Sequence, residues 1–265
     1  MTPVTRAQRL YFAAVGLFAA WVGVWGTFFP KLVDHALPWL VPPLHARFLG
    51  AVYFSAAVML FGGLLARRYA EVRGMVLIVT VWTGLLQIVS CFYLPEFDFS
   101  HRPVWFWFFA YILYPLIGLV FLWRNRGRDE APDGPRAPAW VPVFLQLQAV
   151  VLVGLALALL FAPGFMAAAW PWKISPLLTQ IYSAPFLAYG LGSWLLRRAR
   201  SWFELRLVLA GLFVFTSLTL VASVLHRGLF AADRPATWIW FGGFGLLTVI
   251  HGTLTLRALS ARRSA

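Results

Sequence analysis

The chain has 265 residues, of which 61% are hydrophobic and 12% charged, and its formal net charge is +13. A soluble domain carries about 25% charged residues and roughly 45–50% apolar ones, so this composition excludes an ordinary water-soluble fold. The positive charge does not indicate a nucleic-acid-binding protein, because the cations lie in short clusters between long apolar segments instead of forming one solvated basic face.

Eight long apolar segments follow one another along the chain. Between flanking charges, each contains at least 19 uncharged residues, and the segment between Arg136 and Lys173 contains 36. A helix of about 20 apolar residues crosses a hydrocarbon core roughly 30 Å thick, so every segment is long enough to span a membrane. We therefore predict an all-α, polytopic membrane protein of eight transmembrane helices. Their expected positions are residues 10–29, 45–66, 74–94, 103–123, 141–162, 177–196, 206–225 and 236–257.

The distribution of basic residues predicts the orientation. Eight helices place both termini on one side of the membrane, and 16 of the 22 Lys and Arg residues fall on that side. Because cytoplasmic loops are enriched in Lys and Arg, we expect both termini in the cytoplasm and the protein in the plasma membrane. The first apolar segment is longer than a signal-peptide core and no A-x-A site follows it, so we expect a signal anchor.

The sequence resembles itself when displaced by 133 positions. Between residues 30 and 124, 22 of 95 positions match the residue 133 places later, and the matches include rare Pro, Trp, Glu and Arg. Such matches are Pro38-Trp39 with Pro171-Trp172, Glu71-x-Arg73 with Glu204-x-Arg206, and Trp105-x-Trp107 with Trp238-x-Trp240. We predict two parallel four-helix repeats, residues 1–124 and 141–265, joined by a polar cytoplasmic linker at 125–140.

Candidate ligand-binding residues lie mainly in the connections on the side opposite the termini. They are His45, Arg47, Glu96, Asp98, His101, Arg102, Gln180, His226, Arg227, Asp233 and Arg234, accompanied by Asp34, His35 and Lys173. His45 and Arg47 begin the second helix, where an ionic side chain must face protein or water instead of lipid. We expect the Arg47 guanidinium to converge with the carboxylate of Glu96 or Asp98.

A metal site built from His45, Glu96, Asp98 and His101 would need these residues to meet in the fold. Neighbouring metal ligands often follow a tight spacing such as C-x-x-C or H-x-x-x-H, and the sequence has none. We therefore predict no metal and no cofactor.

Polar residues inside the predicted spans are few. Gln87 lies in the third span and His251 in the eighth, and such side chains usually form hydrogen bonds to neighbouring helices. The only cysteine, Cys91, lies in an apolar segment and is expected to be a buried, inert thiol.

Two acidic residues begin predicted spans on the side of the termini. Glu71 follows Arg67 by four residues and Glu204 follows Arg200 by four. Residues at this spacing share a helix face, and an acid in the first turn also favours the positive end of the helix dipole. We interpret both pairs as structural clamps at the start of a span, with a proton or substrate gate as the alternative.

Three classes of function stay open. The preferred one is binding or transport of a small molecule or lipid at the interface of the repeats, where duplicated bundles place their sites. The second is a non-catalytic accessory subunit with a membrane-protein partner besides the bilayer. The third is a membrane enzyme acting on a lipid or quinone at the outer face, although the nucleotide-binding, zinc-protease and serine-hydrolase motifs are missing.

Overall fold

A computed structural model describes residues 2–35, 41–127 and 134–261. For residues 33–35 it describes the backbone only. Apart from two isolated backbone bridges, every regular element in these ranges is helical. The α-helices are α1 (Arg6–Phe28), α2 (Pro43–Leu64), α3 (Tyr69–Phe92), α4 (Arg102–Arg124), α5 (Trp140–Phe161), α6 (Pro163–Ala169), α7 (Pro176–Leu196), α8 (Trp202–Leu225) and α9 (Pro235–Ser260). Short 3-10 helices cover Pro30–His35, Leu94–Glu96 and Arg227–Leu229.

Seven helices in the described ranges are long and apolar enough to cross a membrane: α1, α2, α3, α4, α5, α8 and α9. The remaining long helix, α7, has 21 residues and contains the buried polar side chains of Thr179, Ser183 and Ser193. These hydroxyl groups lower its hydropathy but face the interior of the bundle. The described part of the chain is therefore consistent with a polytopic helical membrane protein that has seven long apolar candidate spans.

Helices α1, α3 and α8 begin four or five residues earlier than expected from the sequence, and for α3 and α8 the structure shows why. We expected spans to begin at residues 74 and 206, yet α3 begins at Tyr69 and α8 at Trp202. The expected boundaries treated the charges of Arg73 and Arg206 as the ends of apolar segments. In the structure both arginines are inside a helix, where an ion pair with a glutamate compensates each charge.

The long helices run up and down, so the connections collect at two ends of the bundle. The terminal end holds the first and last described residues, the connections α2–α3 and α7–α8, and the described part of the connection α4–α5. There the backbone amide of Val4 donates to the carbonyl of Arg67, and that of Trp202 to the carbonyl of Pro135. The distal end holds the other connections. Linker residues 128–133 and the Pro38-Trp39 motif lie outside the described residues.

The two halves of the chain, α1–α4 and α5–α9, pack extensively against each other. In the first half α1 packs on α2 and α3 on α4; in the second, α5 packs on α7 and α8 on α9. The halves meet where α2 packs on α8 and α3 on α7. Helices α3 and α8 have both bounds separated by 133 positions, as do the 3-10 helices Leu94–Glu96 and Arg227–Leu229.

Glycine permits the close approach of α1 to α2. A Cβ atom added at Gly26 would lie 2.7 Å from the carbonyl oxygen of Ala46 and 2.8 Å from the Cα of Gly50. Only a residue without a side chain lets the two backbones meet at this distance. This contact fixes the position of the N-terminal part of α2, which carries His45 and Arg47.

Candidate functional site

His45 is held at the boundary between the two halves. It lies in the first turn of α2 and is 4% exposed. Its Nε2 faces the backbone carbonyl of Lys173 at 3.3 Å and its Nδ1 faces the hydroxyl of Tyr182 at 2.7 Å. Because a carbonyl only accepts, Nε2 carries the hydrogen and Nδ1 accepts from Tyr182. Both ring nitrogens are therefore hydrogen-bonded, and the imidazole of His45 is held in one orientation.

Arg47 also reaches across to the second half. Its Nη1 donates to Nε2 of His226, 2.6 Å away at the C-terminal end of α8. An arginine has no acceptor, so His226 accepts with a neutral ring. Burial, reinforced by the positive charge of Arg47, lowers the pKa of His226 below its ordinary value. The guanidinium thus keeps its full charge beside a neutral partner.

A cavity of about 740 Å³, the distal pocket, opens at this end between the two halves. Its lining in the described part of the chain comprises Pro42, Pro43, Leu44, His45, Trp172, Lys173, Ile174, Ser175, Leu178, His226 and Leu229. No acidic residue is among these, whereas the exposed Lys173 contributes an ammonium group and Arg47 lies behind His226. The pocket is positively charged with apolar walls, a combination that suits an amphiphile with an anionic group.

The expected meeting of Arg47 with Glu96 or Asp98 is wrong for the described residues, because Arg47 is hydrogen-bonded to His226. Asp98 instead lies 3.2 Å from His101 within one exposed connection. Hydrogen bonds from Ser100, together with this histidine, lower the pKa of Asp98. The sequence did not indicate that the side chain of Arg47 extends to the other half of the bundle.

The other candidates at the distal end are dispersed. Glu96, Arg102, Arg227 and Asp233 are exposed. Gln180 accepts from the Tyr93 hydroxyl at 2.5 Å and donates to the Leu160 carbonyl at 2.7 Å. Arg234 approaches the carbonyls of Ala168 and Trp170 at 3.3 and 3.4 Å. Gln180 and Arg234 thus stabilise connections. The side chains of Asp34 and His35 lie outside the described part.

The two intramembrane candidates behave differently. Gln87 contacts Cys91 of its own helix at 3.5 Å. Cys91 is exposed, which corrects the expectation of a buried thiol, because the outer turn of α3 is not covered by another helix at this position. His251 is 1% exposed and forms an interhelical hydrogen bond with Gln148 of α5 at 2.8 Å.

At the terminal end, four charged residues join the halves. Glu204 accepts from Arg73 at 3.2 Å, and Glu71 accepts from Arg206. Each glutamate also caps its own helix: Glu71 accepts from the Arg68 backbone amide at 3.1 Å and Glu204 from that of Arg200 at 2.7 Å. The sequence suggested the glutamates but missed the arginine partners, although the repeated Glu-x-Arg spacing was a signal for them.

Two tyrosines along the interface between the halves were not among the residues predicted from the sequence. The hydroxyl of Tyr189 in α7 lies 2.5 Å from the Oγ of Ser55 in α2, and Tyr182 supports His45. Aromatic residues abound in the chain, so composition alone did not distinguish these two from lipid-facing rings.

No protein-family model, curated protein or solved structure matches this chain.

Proposed function

We propose that this chain is an eight-span plasma-membrane protein that binds, as the first step of transport, a lipid-like molecule with an anionic head group in the distal pocket. The observation that carries the proposal is the composition of that pocket. It lies between the two halves, its described lining holds cationic and neutral residues without an acid, and its walls are apolar.

Eight spans require α7 to cross the membrane with the other seven. Its length of 21 residues corresponds to about 30 Å. Its polar residues are shielded by neighbouring helices, and its capping residue Ser175 lines the distal pocket. An even number of spans brings both termini to the terminal end, and the excess of arginine there favours the cytoplasm.

Two parallel repeats, residues 1–124 and 141–265, account for the reciprocal contacts between the halves. Arg206 lies 133 positions after Arg73, and Glu71 lies 133 positions before Glu204, so the two ion pairs correspond to each other. In the same way, the contact Arg47–His226 corresponds to the contact Gln180–Tyr93. Reciprocal pairs of this kind are expected of two similar surfaces related by a twofold axis. The axis would run along the membrane normal, with the distal pocket beside it.

Lys173 and Trp172 supply complementary recognition of an amphiphile. A lysine ammonium binds a phosphate or carboxylate as a compact point charge. Trp172 is buried behind it and suits the headgroup region of a bilayer. The positive charge of Arg47 adds attraction at longer range. A neutral or cationic head group would lose this electrostatic contribution.

The experiment compares lipid binding by purified wild-type protein and two lysine variants. Native mass spectrometry would count bound phosphatidylglycerol and bound phosphatidylcholine with identical acyl chains. We expect the wild type to favour the anionic lipid by about tenfold, the lower limit for one hydrogen bond to a charged group, because Lys173 is exposed. Lys173→Gln should abolish most of this preference.

Lys31→Gln is the matched control, since Lys31 is the other lysine of the chain and lies exposed in the distal 3-10 helix Pro30–His35. It should leave the preference unchanged. Equal binding of both lipids by the wild type, or equal effects of the two variants, would refute an anionic site at the distal pocket. A co-purifying membrane protein that occludes the pocket would favour the accessory-subunit function instead.

A further inference from the structure

A second cavity, here called the lateral cavity, lies inside the second half and shares no lining residue with the distal pocket. Its volume is about 350 Å³, and α5, α7, α8 and α9 contribute to it. Val151 and Ile239 line it and are 66% and 73% exposed. The cavity therefore opens on the side of the bundle, where spanning helices meet hydrocarbon, and an occupant would enter from the lipid phase.

One end of the lateral cavity carries an unused hydrogen-bond acceptor. His251 Nε2 lies 2.8 Å from Oε1 of Gln148, whose Nε2 donates to Ser193 Oγ at 2.8 Å. A neutral imidazole has one donor and one acceptor nitrogen, so Nε2 donates to the amide oxygen. The remaining nitrogen, Nδ1, is buried and without a partner in the described structure. A buried acceptor in this state favours a ligand that donates a hydrogen bond.

The other end carries a donor. The indole Nε1 of Trp170 is buried without a hydrogen-bond partner among the described residues, and its ring packs on Trp240 at 5.4 Å. From Trp240 to His251, α9 rises by about 16 Å, which is roughly half of a hydrocarbon core. Between these ends the lining is mainly apolar, and its described residues include no Lys, Arg, Asp or Glu. The cavity fits a molecule about one leaflet long.

The corresponding space in the first half is filled. The positions 133 residues before Val151 and Ile239 are Phe18 and Phe106, whose rings meet at 5.0 Å and join α1 to α4. Position 118, which corresponds to His251, is Gly118, where a Cβ atom would clash with Thr80. The two halves thus share a fold but not this cavity. At these positions the second half carries Val151, Ile239 and His251 where the first half carries two phenylalanines and a glycine.

We propose that the lateral cavity binds a neutral, hydroxyl-bearing molecule from the lipid phase. Its O–H donates to Nδ1 of His251, and its apolar body lies along α9 toward Trp170. A volume of 350 Å³ accommodates a single ring with a chain or a single alkyl chain, since a dry cavity of about 150 Å³ holds benzene. The absence of a lining cation separates this ligand from the anionic one of the distal pocket.

Photolabelling of the purified full-length protein in detergent tests the proposal. The probes are a long-chain primary alcohol carrying a mid-chain diazirine and the diazirine alkane of equal length without the hydroxyl. Mass spectrometry of peptides would locate the label. We expect the alcohol to label α5 and α9 about fivefold to tenfold more than the alkane, the effect of one hydrogen bond in an apolar site.

A matched pair of glycine variants tests the location. An added Cβ meets no atom within 4 Å at Gly243, which lines the cavity, or at Gly242, which is exposed and does not. Gly243→Phe should abolish labelling of α5 and α9, and Gly242→Phe should preserve it. Equal labelling of these two variants, or of the wild type by alcohol and alkane, would overturn the proposal.

A third variant tests the role of the histidine. His251→Leu should keep labelling but remove the preference for the alcohol; an unchanged preference would disprove the hydrogen bond. If this variant misfolds, the glycine pair still decides the location and the wild-type comparison the chemistry. Failure here leaves the distal pocket untouched, because Lys173→Gln reports on that site alone.

Discussion

The guanidinium of Arg73 lies 3.2 Å from the carboxylate of Glu204, and the two residues belong to opposite halves of the bundle. The side chains are only 10% and 3% exposed. With the pair Arg206–Glu71, this contact makes each half dependent on the other at the terminal end. A buried ion pair is costly to form, but removal of one member leaves an uncompensated charge.

Arg73→Ala should therefore lower the free energy of unfolding by about 3 kcal/mol. Denaturation of the purified protein in detergent would measure this loss. Arg67→Ala is the control, because Arg67 is exposed at the same end, and it should cost less than about 1 kcal/mol. If the two variants lose equal stability, the ion pair between the halves does not contribute to the fold.

The accessibility of single cysteines tests the eight-span plan. In a Cys91→Ser background, cysteines would be placed at Ser100 and Asp233 at the distal end and at Arg67 and Arg200 at the terminal end. All four positions are exposed, and members of each pair are 133 residues apart. We expect a membrane-impermeant maleimide to label the distal pair in intact cells and the terminal pair only after permeabilisation. Opposite results for Arg67 and Arg200 would refute two parallel repeats.

Acidification should weaken the contact between Arg47 and His226. The pKa of His226 is lowered in the folded protein, so the unfolded chain binds the proton more readily. Above the pKa of the unfolded chain, about 6.5, the neutral ring makes its full contribution to the free energy of unfolding. This contribution is lost as the pH falls through the pKa of His226 in the folded protein. We expect the Tm in detergent to fall more between about pH 7 and about pH 5 for the wild type than for His226→Gln, whose amide oxygen still accepts from Arg47.

The exposed His101 is the control for this pH experiment, since it lies in a different connection beside Asp98. His101→Gln should retain the wild-type pH dependence. Identical pH profiles for the wild type and His226→Gln would show that this histidine does not govern the acid sensitivity of the distal end.

Gly26→Ala should separate α1 from α2. The added Cβ would lie 2.7 Å from the carbonyl oxygen of Ala46, and overpacking of this kind costs about 1–3 kcal/mol. Gly154→Ala in α5 has no atom within 4 Å of the new Cβ and should be neutral or gain up to about 1 kcal/mol from helix propensity. Thermal unfolding in detergent would compare the two. A loss for both variants would argue against a specific contact at Gly26.

Membrane character was predictable because it depends on local composition. Charges that are excluded from a hydrocarbon core divide the chain into apolar segments, and no tertiary contact is needed to count them. This counting failed where a contact compensates a charge. Arg73 and Arg206 were taken as boundaries, but their glutamate partners allow α3 and α8 to begin several residues earlier.

The sequence by itself determined an all-helical membrane protein and suggested its repeat, since hydropathy and internal similarity can be read along one chain. Only the tertiary structure decided which polar groups meet. Arg47 faces His226 instead of an acid, and His251 borders a cavity that aromatic rings fill in the first half. The spacing of residues along one helix shows which side chains share a face, because residues three or four apart lie on the same side. It does not show which other helix that face contacts. That choice depends on how helices distant in sequence rotate and pack against each other.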